Sequence, residues 1–255
     1  MGTSEMNKET VRIAAVADIH VKKTSQGAFH DLFARATDEA DVLLLCGDLT
    51  DYGTTDEARV LAREITTSLR IPSIAVLGNH DVESGEQSNV VKILADAGVT
   101  MLDGDSHEVH GVGFAGVKGF GGGFGRRQLG AWGEDAIKRF VHETVEEALK
   151  LEAALARLRT PQKIALLHYS PIQATVAPEP PEIMPFMGSS RLEDPLDRYR
   201  VTAVFHGHAH RGSLEGRTKG NVPVYNVAMP LLLAEDPGAR PFKVIEVPVV
   251  TATLA

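Results

Sequence analysis

The chain of 255 residues has one cysteine, Cys46, and aromatic residues make up only 5% of it. A single thiol excludes an intrachain disulfide framework and any structural zinc site built from several cysteines. It fits a reducing compartment, the cytoplasm, and within "VLLLCGD" it reads as a small buried hydrophobe. With so few aromatic rings, Ala, Val and Leu must build most of the core. Long apolar runs are also missing. None approaches the roughly 20 residues of a spanning helix, and "MGTSEMNKET" lacks an apolar targeting region, so neither membrane insertion nor secretion is expected. Positive charge is scarce as well, with 26 Lys and Arg against 34 Asp and Glu and a formal net charge of -8. Long nucleic acids are not expected partners of such a surface, and an anionic ligand would need locally fixed cations.

What is present, 43% hydrophobic and 24% charged residues, suits one globular domain over residues 1–255, with residues 1–10 as a disordered tail. Short apolar runs at "VRIAAVA", "DVLLLC" and "SIAVL" end in polar residues, and segments with helical spacing lie between them. This βαβαβ order implies parallel strands with right-handed crossovers. A helix is expected from Gln87 to the glycine Gly98, and short strands in "SHEVHGVGFAGV". A longer helix is expected over Glu134–Arg159, its apolar stripe formed by Ile137, Phe140, Val141, Val145, Leu149, Leu155 and Leu158. "KIALLHYSP" and "VTAVFHGHAH" repeat the strand-then-polar design. "NVPVYNVAMPLLL" and "RPFKVIEVPVV" read as antiparallel strands without intervening helices, so two sheets packed face to face are expected. The apolar "VAMPLLLA" suits a homo-oligomer contact as readily as the core.

Strand ends carry Asp18 and His20, then Gly47 and Asp48, then Gly78, Asn79, His80 and Asp81, then His168, and finally His208 and His210. As patterns these are DxH, GD, GNHD, a lone strand-terminal histidine, and GHxH. Imidazole nitrogens and carboxylate oxygens without thiolates suit intermediate first-row divalent ions, and seven donors exceed what one tetrahedral ion needs. Each fragment alone is uninformative; the ordered set is specific.

In this ordered set the chain resembles the calcineurin-like metallophosphoesterases, over about three quarters of its length from Asp18 to His210. The resemblance implies a four-layer αββα sandwich of two mixed β-sheets flanked by helices. It also implies two transition-metal ions, drawn from Mn²⁺, Fe and Zn²⁺. Asp18, His20, Asp48 and His210 would hold one, and Asp48, Asn79, His168 and His208 the other, with Asp48 as the bridge. Two such cations carry four positive charges and the two aspartates remove two, which leaves attraction for an anion on an otherwise acidic protein. Two metals about 3.5 to 4 Å apart activate a bridging hydroxide and clamp the oxygens of an in-line displacement. His80, outside both sets, would donate a proton to the leaving oxygen, with Asp81 orienting its ring.

The implied activity is hydrolysis of small phosphodiesters, cyclic nucleotides among them, or of phosphomonoesters. The alternatives are a nucleotide phosphatase with little diesterase activity and a metal-binding scaffold without turnover. Other metallohydrolase folds are disfavoured because no HxHxDH block is present. His206 is expected to be buried beside the site, and His30, His107, His110 and His142 to lie away from it. Asp51 is read as a turn cap and Arg126 and Arg127 as solvated. The stretch "GFGGGFGRR" lacks the lysine and the strand-loop-helix context of a phosphate-binding P-loop, and the 118–133 segment reads as a flexible glycine-rich loop. The proline-rich 177–190 segment has the length of a lid.

Overall fold

The computed structural model describes residues 9–236, 238 and 240–249. Most of the expected tail, residues 1–8, lies outside them, and Thr10 already opens the first strand. In chain order the elements are β1 (Thr10–Val16), α1 (His30–Glu39), β2 (Val42–Cys46), α2 (Thr55–Ser68), β3 (Ser73–Val76), α3 (Gln87–Asp96), β4 (Val99–Met101), β5 (Asp105–Val109) and β6 (Val112–Gly116). There follow α4 (Asp135–Arg157), β7 (Gln162–Leu166), α5 (Met184–Met187), α6 (Glu193–Arg198), β8 (Ala203–His206), β9 (Glu215–Arg217), β10 (Pro223–Asn226), α7 (Met229–Glu235) and β11 (Lys243–Pro248).

Two mixed sheets result, with strand orders β11-β1-β2-β3-β4 and β5-β6-β7-β8-β10-β9. Strand alternation explains why they stack. On β1, Val11, Ile13 and Ala15 face the second sheet, where they meet Phe114, Ile164, Leu166 and Phe205, while Ala14 and Val16 face Phe33, Leu61 and Leu94 of the helices outside. The outer face of the second sheet packs through Ala165, Leu167 and Val204 on Leu151, Ala154 and Leu155 of α4 and Leu196 of α6. The order helices, sheet, sheet, helices is the expected αββα sandwich. Cys46 is fully buried in the inter-sheet layer, where burial pushes its thiol up. Among the described residues no helix is long and apolar enough to cross a membrane.

Two local expectations fail. "MPLLLAE" is helix α7 rather than strand, and β10 runs parallel to β8 and antiparallel only to β9. Pro230 lies in the first turn of α7, where a missing N–H costs nothing, so the proline starts a helix here. In the same segment Leu231 is buried, while Met229 and Leu232 pack against the two neighbouring cores.

The second failure concerns α4. Its buried line is Val141, Thr144, Glu147, Leu151, Ala154 and Leu155, whereas Ile137 and Leu149 of the expected stripe are exposed. Thr144 and Glu147 occupy the buried face because they fasten the glycine-rich segment. Thr144 Oγ1 donates to the Gly121 carbonyl at 2.6 Å, and Glu147 Oε2 accepts from Gly119 N at 2.7 Å. That segment is tied as well to the proline-rich one, through Gly122 N to Pro185 O at 2.6 Å and Gly123 N to Gly188 O at 2.9 Å. The expected flexible loop is therefore a fastened wall, and the expected lid is its other half.

Candidate metal centre

The parallel strands of both sheets deliver their C-terminal ends to one edge of the sandwich. Asp18 and His20 follow β1, Asp48 follows β2, Asn79 and His80 follow β3, His168 follows β7, and His208 and His210 follow β8. Beyond the sheet, Asp18 N still donates to Gly47 O and His20 N to Asp48 O, both at 3.0 Å, which fixes the first two blocks side by side. Asp18, His20, Asp48 and His208 all have φ between 44° and 70°, the left-handed region. Each such residue costs on the order of 1–3 kcal/mol, a strain that clusters where side chains must be aimed for function.

Two of the block glycines are explained by close approach. A Cβ at position 78 would lie 2.1 Å from Asp48 Oδ1, and one at position 207 would lie 2.4 Å from Asp18 Oδ2. The carboxylates lie against bare backbone, and backbone amides grip them. His80 N donates to Asp48 Oδ1 at 2.9 Å, and His208 N donates to Asp18 Oδ2 at 3.0 Å. Asp48 Oδ2 is left between His168 Nε2 at 3.4 Å and His20 Nε2 at 3.9 Å. His210 Nε2 lies 3.0 Å from Asp18 Oδ1, and Asn79 Oδ1 lies 2.9 Å from His168 Nε2.

The tautomers follow from carbonyl partners, which only accept. His168 Nδ1–H donates to Cys46 O at 3.1 Å, so Nε2 is the nitrogen turned to Asp48 and Asn79. His208 Nε2–H donates to Phe186 O at 3.1 Å, leaving Nδ1. The buried Nδ1 of His20 makes no hydrogen bond among the described residues. Electrostatics follow the same geometry. Burial opposes charge on His168, but the Asp48 carboxylate outweighs it and lifts the imidazole to about 9. Burial and the neighbouring His168 push His208 down to about 4. Burial would raise Asp48, but His168 and the His80 amide hold it well below the usual carboxylate range.

Three groups of side chains bring their donor atoms close enough to hold a cation: Asp18, His20 and His210; Asp48, His168 and His208; and His20, Asp48 and His80. The first two join all six histidines and aspartates expected as ligands, and Asn79 adjoins the second through His168. Donor separations of 2.9 to 3.9 Å match atoms sharing a cation at about 2.0 to 2.2 Å. Together with the all N/O donor set, this fits divalent transition metals.

His80 differs in one respect from the expectation. Its ring is oriented by the backbone, since Nδ1–H donates to the Asp51 carbonyl at 2.7 Å. Asp81 does not touch it. That carboxylate is fully buried and accepts from Leu49 N, Thr50 N, Thr50 Oγ1 and Gly78 N, which locks the β2 and β3 loops together. Four donors consume its lone pairs, so Asp81 is a clamp on the loops. Asp51 carries more than a turn: its carboxylate lies 3.8 Å from His20 Nδ1 and 3.7 Å from Lys22 Nζ. No sequence pattern marked it, because the decisive contact is a main-chain oxygen.

His206 is fully buried, bonds Thr175 Oγ1 through Nε2 at 2.8 Å, and is pushed down to about 4 by burial. It joins none of the donor groups, and neither do His30, His107, His110 or His142. Arg126 and Arg127 are exposed.

No curated protein sequence matches the chain closely enough to count as a relative. Among solved structures, the phosphopantetheinyl hydrolase of Mycobacterium tuberculosis superposes with a TM-score of 0.65 at 15% identity, covering 91% of this chain and 95% of its own. A protein of Thermus thermophilus gives 0.53 at 14% identity, covering 94% and 100%. Both show the same fold. The family model for calcineurin-like phosphoesterases matches residues 11–212, which contain every residue of the centre, and the chain belongs to that family.

Proposed function

We propose that the chain hydrolyses small phosphate esters, phosphodiesters or phosphomonoesters, at a dinuclear metal centre. The observation that carries this reading is the division of labour on Asp48. One carboxylate oxygen is pinned by the His80 amide, and the other faces imidazole nitrogens from opposite sheets. Asp18, His20, Asp48 and His210 would hold one cation, and Asp48, Asn79, His168 and His208 the other. Cations of the Mn²⁺, Fe or Zn²⁺ type supply Lewis acidity and an activated water when bound. Only two carboxylates stand among the seven donors, so the site retains positive charge for a phosphate although the chain carries a net charge of -8. An aspartate in place of Asn79 would halve that residual charge.

His80 would protonate the leaving oxygen. With Nδ1–H committed to the Asp51 carbonyl, the free Nε2 is the atom that carries and delivers the proton. The Asp81 clamp holds the loop that aims it. A fold neighbour that is a phosphopantetheinyl hydrolase supports hydrolysis without transferring its substrate. The lone buried Cys46 suits a reducing compartment such as the cytoplasm.

The test is hydrolysis of bis(4-nitrophenyl) phosphate by the purified chain with Mn²⁺. Turnover should vanish with EDTA, return with added metal, and be lost in Asp48→Ala together with bound metal. A wild-type protein that binds two ions per chain yet turns over no phosphate ester would instead be a metal-binding scaffold.

A further inference from the structure

A circuit of aromatic contacts begins and ends at His208. The Tyr169 ring lies 4.5 Å from that of His208, Phe120 lies 5.8 Å from Tyr169, Phe140 lies 4.8 Å from Phe120, and Phe186 lies 5.9 Å from Phe140. The Phe186 carbonyl then returns to His208 Nε2. Lys118 Nζ sits 5.0 Å over the Phe120 ring and 5.3 Å over that of Tyr169, and donates to the Gly119 carbonyl, so those two rings are held in place. Phe186 is 56% exposed although its own main chain bonds a donor of the centre. Ile137, one helical turn before Phe140, and Ile183, one turn before Phe186, are also exposed, and they and Phe186 make up half of the six large hydrophobics exposed among the described residues.

An exposed aromatic side chain on a ring-packed wall is a feature of binding surfaces, and Phe186 adjoins a polar centre through its carbonyl on His208. We propose that this wall receives the organic group of the substrate, so that the preferred esters carry an apolar or aromatic group beside the reacting phosphorus. The inference rests on the phosphoesterase reading above. A phosphoryl group held between Asp48 and His208 has its ester arm directed either to solvent or along a neighbouring surface, and the surface reached through His208 is aromatic. The glycine-rich and proline-rich segments are thereby given one purpose: fastened to each other and to α4, they hold the wall rigid beside the centre.

The experiment is calorimetric titration of the metal-loaded protein with methylphosphonate and with benzylphosphonate, which differ in the apolar group alone. Benzylphosphonate should bind about tenfold more tightly, the preference expected for partial burial of one ring. Phe186→Ala should reduce the ratio to within about twofold, and Phe186→Trp should restore it, an outcome a general structural defect would not produce. Equal affinities for the wild type, or a ratio that survives Phe186→Ala, would overturn the proposal while leaving hydrolysis of bis(4-nitrophenyl) phosphate intact. Equal affinities combined with a dimer that Phe186→Ala dissociates would hand the wall to a second copy of the chain. Absence of any phosphoester turnover would sink the parent reading and this inference with it.

Discussion

At the scale of single residues, His80 separates chemistry from metal binding. It stands beside the centre, its amide on Asp48 and its ring 4.6 Å from that of His20. If it acts as the proton donor, His80→Ala should lower turnover by about 10² to 10⁴ with two metal ions still bound per chain by elemental analysis. Loss of one ion would place it among the ligands, as its grouping with His20 and Asp48 allows. Gly78 makes a second residue-scale case. A methyl group there must displace the Asp48 carboxylate, 2.1 Å away. Gly78→Ala should therefore cost at least about tenfold in metal affinity while thermal unfolding remains cooperative, because a one-ångström misplacement of a ligand is felt strongly.

The side chains that converge were legible in the sequence because His, Asp and Asn at successive strand ends carry their own donor chemistry. The orientation of His80 was not legible. It rests on a main-chain oxygen of Asp51, which any residue at that position would offer, while the adjacent Asp81 suggested a partner that the loop geometry turns away.

At the scale of elements, alternation along β1 and β2 sorts residues between the two cores as a period of two requires, while the uniformly apolar runs in the sequence show only that both faces of these strands are buried. Helix α4 was harder. Its length was readable, but its buried face was not, because Thr144 and Glu147 look like solvent residues and are buried only through contacts with a loop more than twenty residues upstream. The two faces can be told apart by truncation. Leu151→Ala should destabilise the fold by about 2–5 kcal/mol as a fully buried leucine. Leu149→Ala, at a position 58% exposed, should stay within about 0.5 kcal/mol. Chemical denaturation of both variants measures the contrast, and similar losses would mean that α4 sits in the rotation its apolar stripe suggested. The α7 helix was missed for a related reason: "MPLLL" has no period long enough to choose between strand and helix, and Pro230 decided it from the first turn.

For the whole molecule, the centre joins the two sheets. Asp18, His20, Asp48 and Asn79 hang from one, and His168, His208 and His210 from the other. Bound cations should therefore cross-link the sandwich. Saturation at about 100 times the dissociation constant contributes about 2.7 kcal/mol per site, and a chain of this size shifts by about 2–4 °C per kcal/mol. Chelation of both sites should lower Tm by about 10–20 °C, restored by Mn²⁺; an unchanged Tm would show that the sheets do not depend on the centre.

The most direct test is anomalous diffraction from crystals grown with Mn²⁺. A shared aspartate predicts two peaks about 3.5 to 4 Å apart, one between Asp18 and His210, the other between His168 and His208, with Asp48 Oδ2 touching both. A single peak, or peaks that leave Asp48 uncoordinated, would contradict a dinuclear centre.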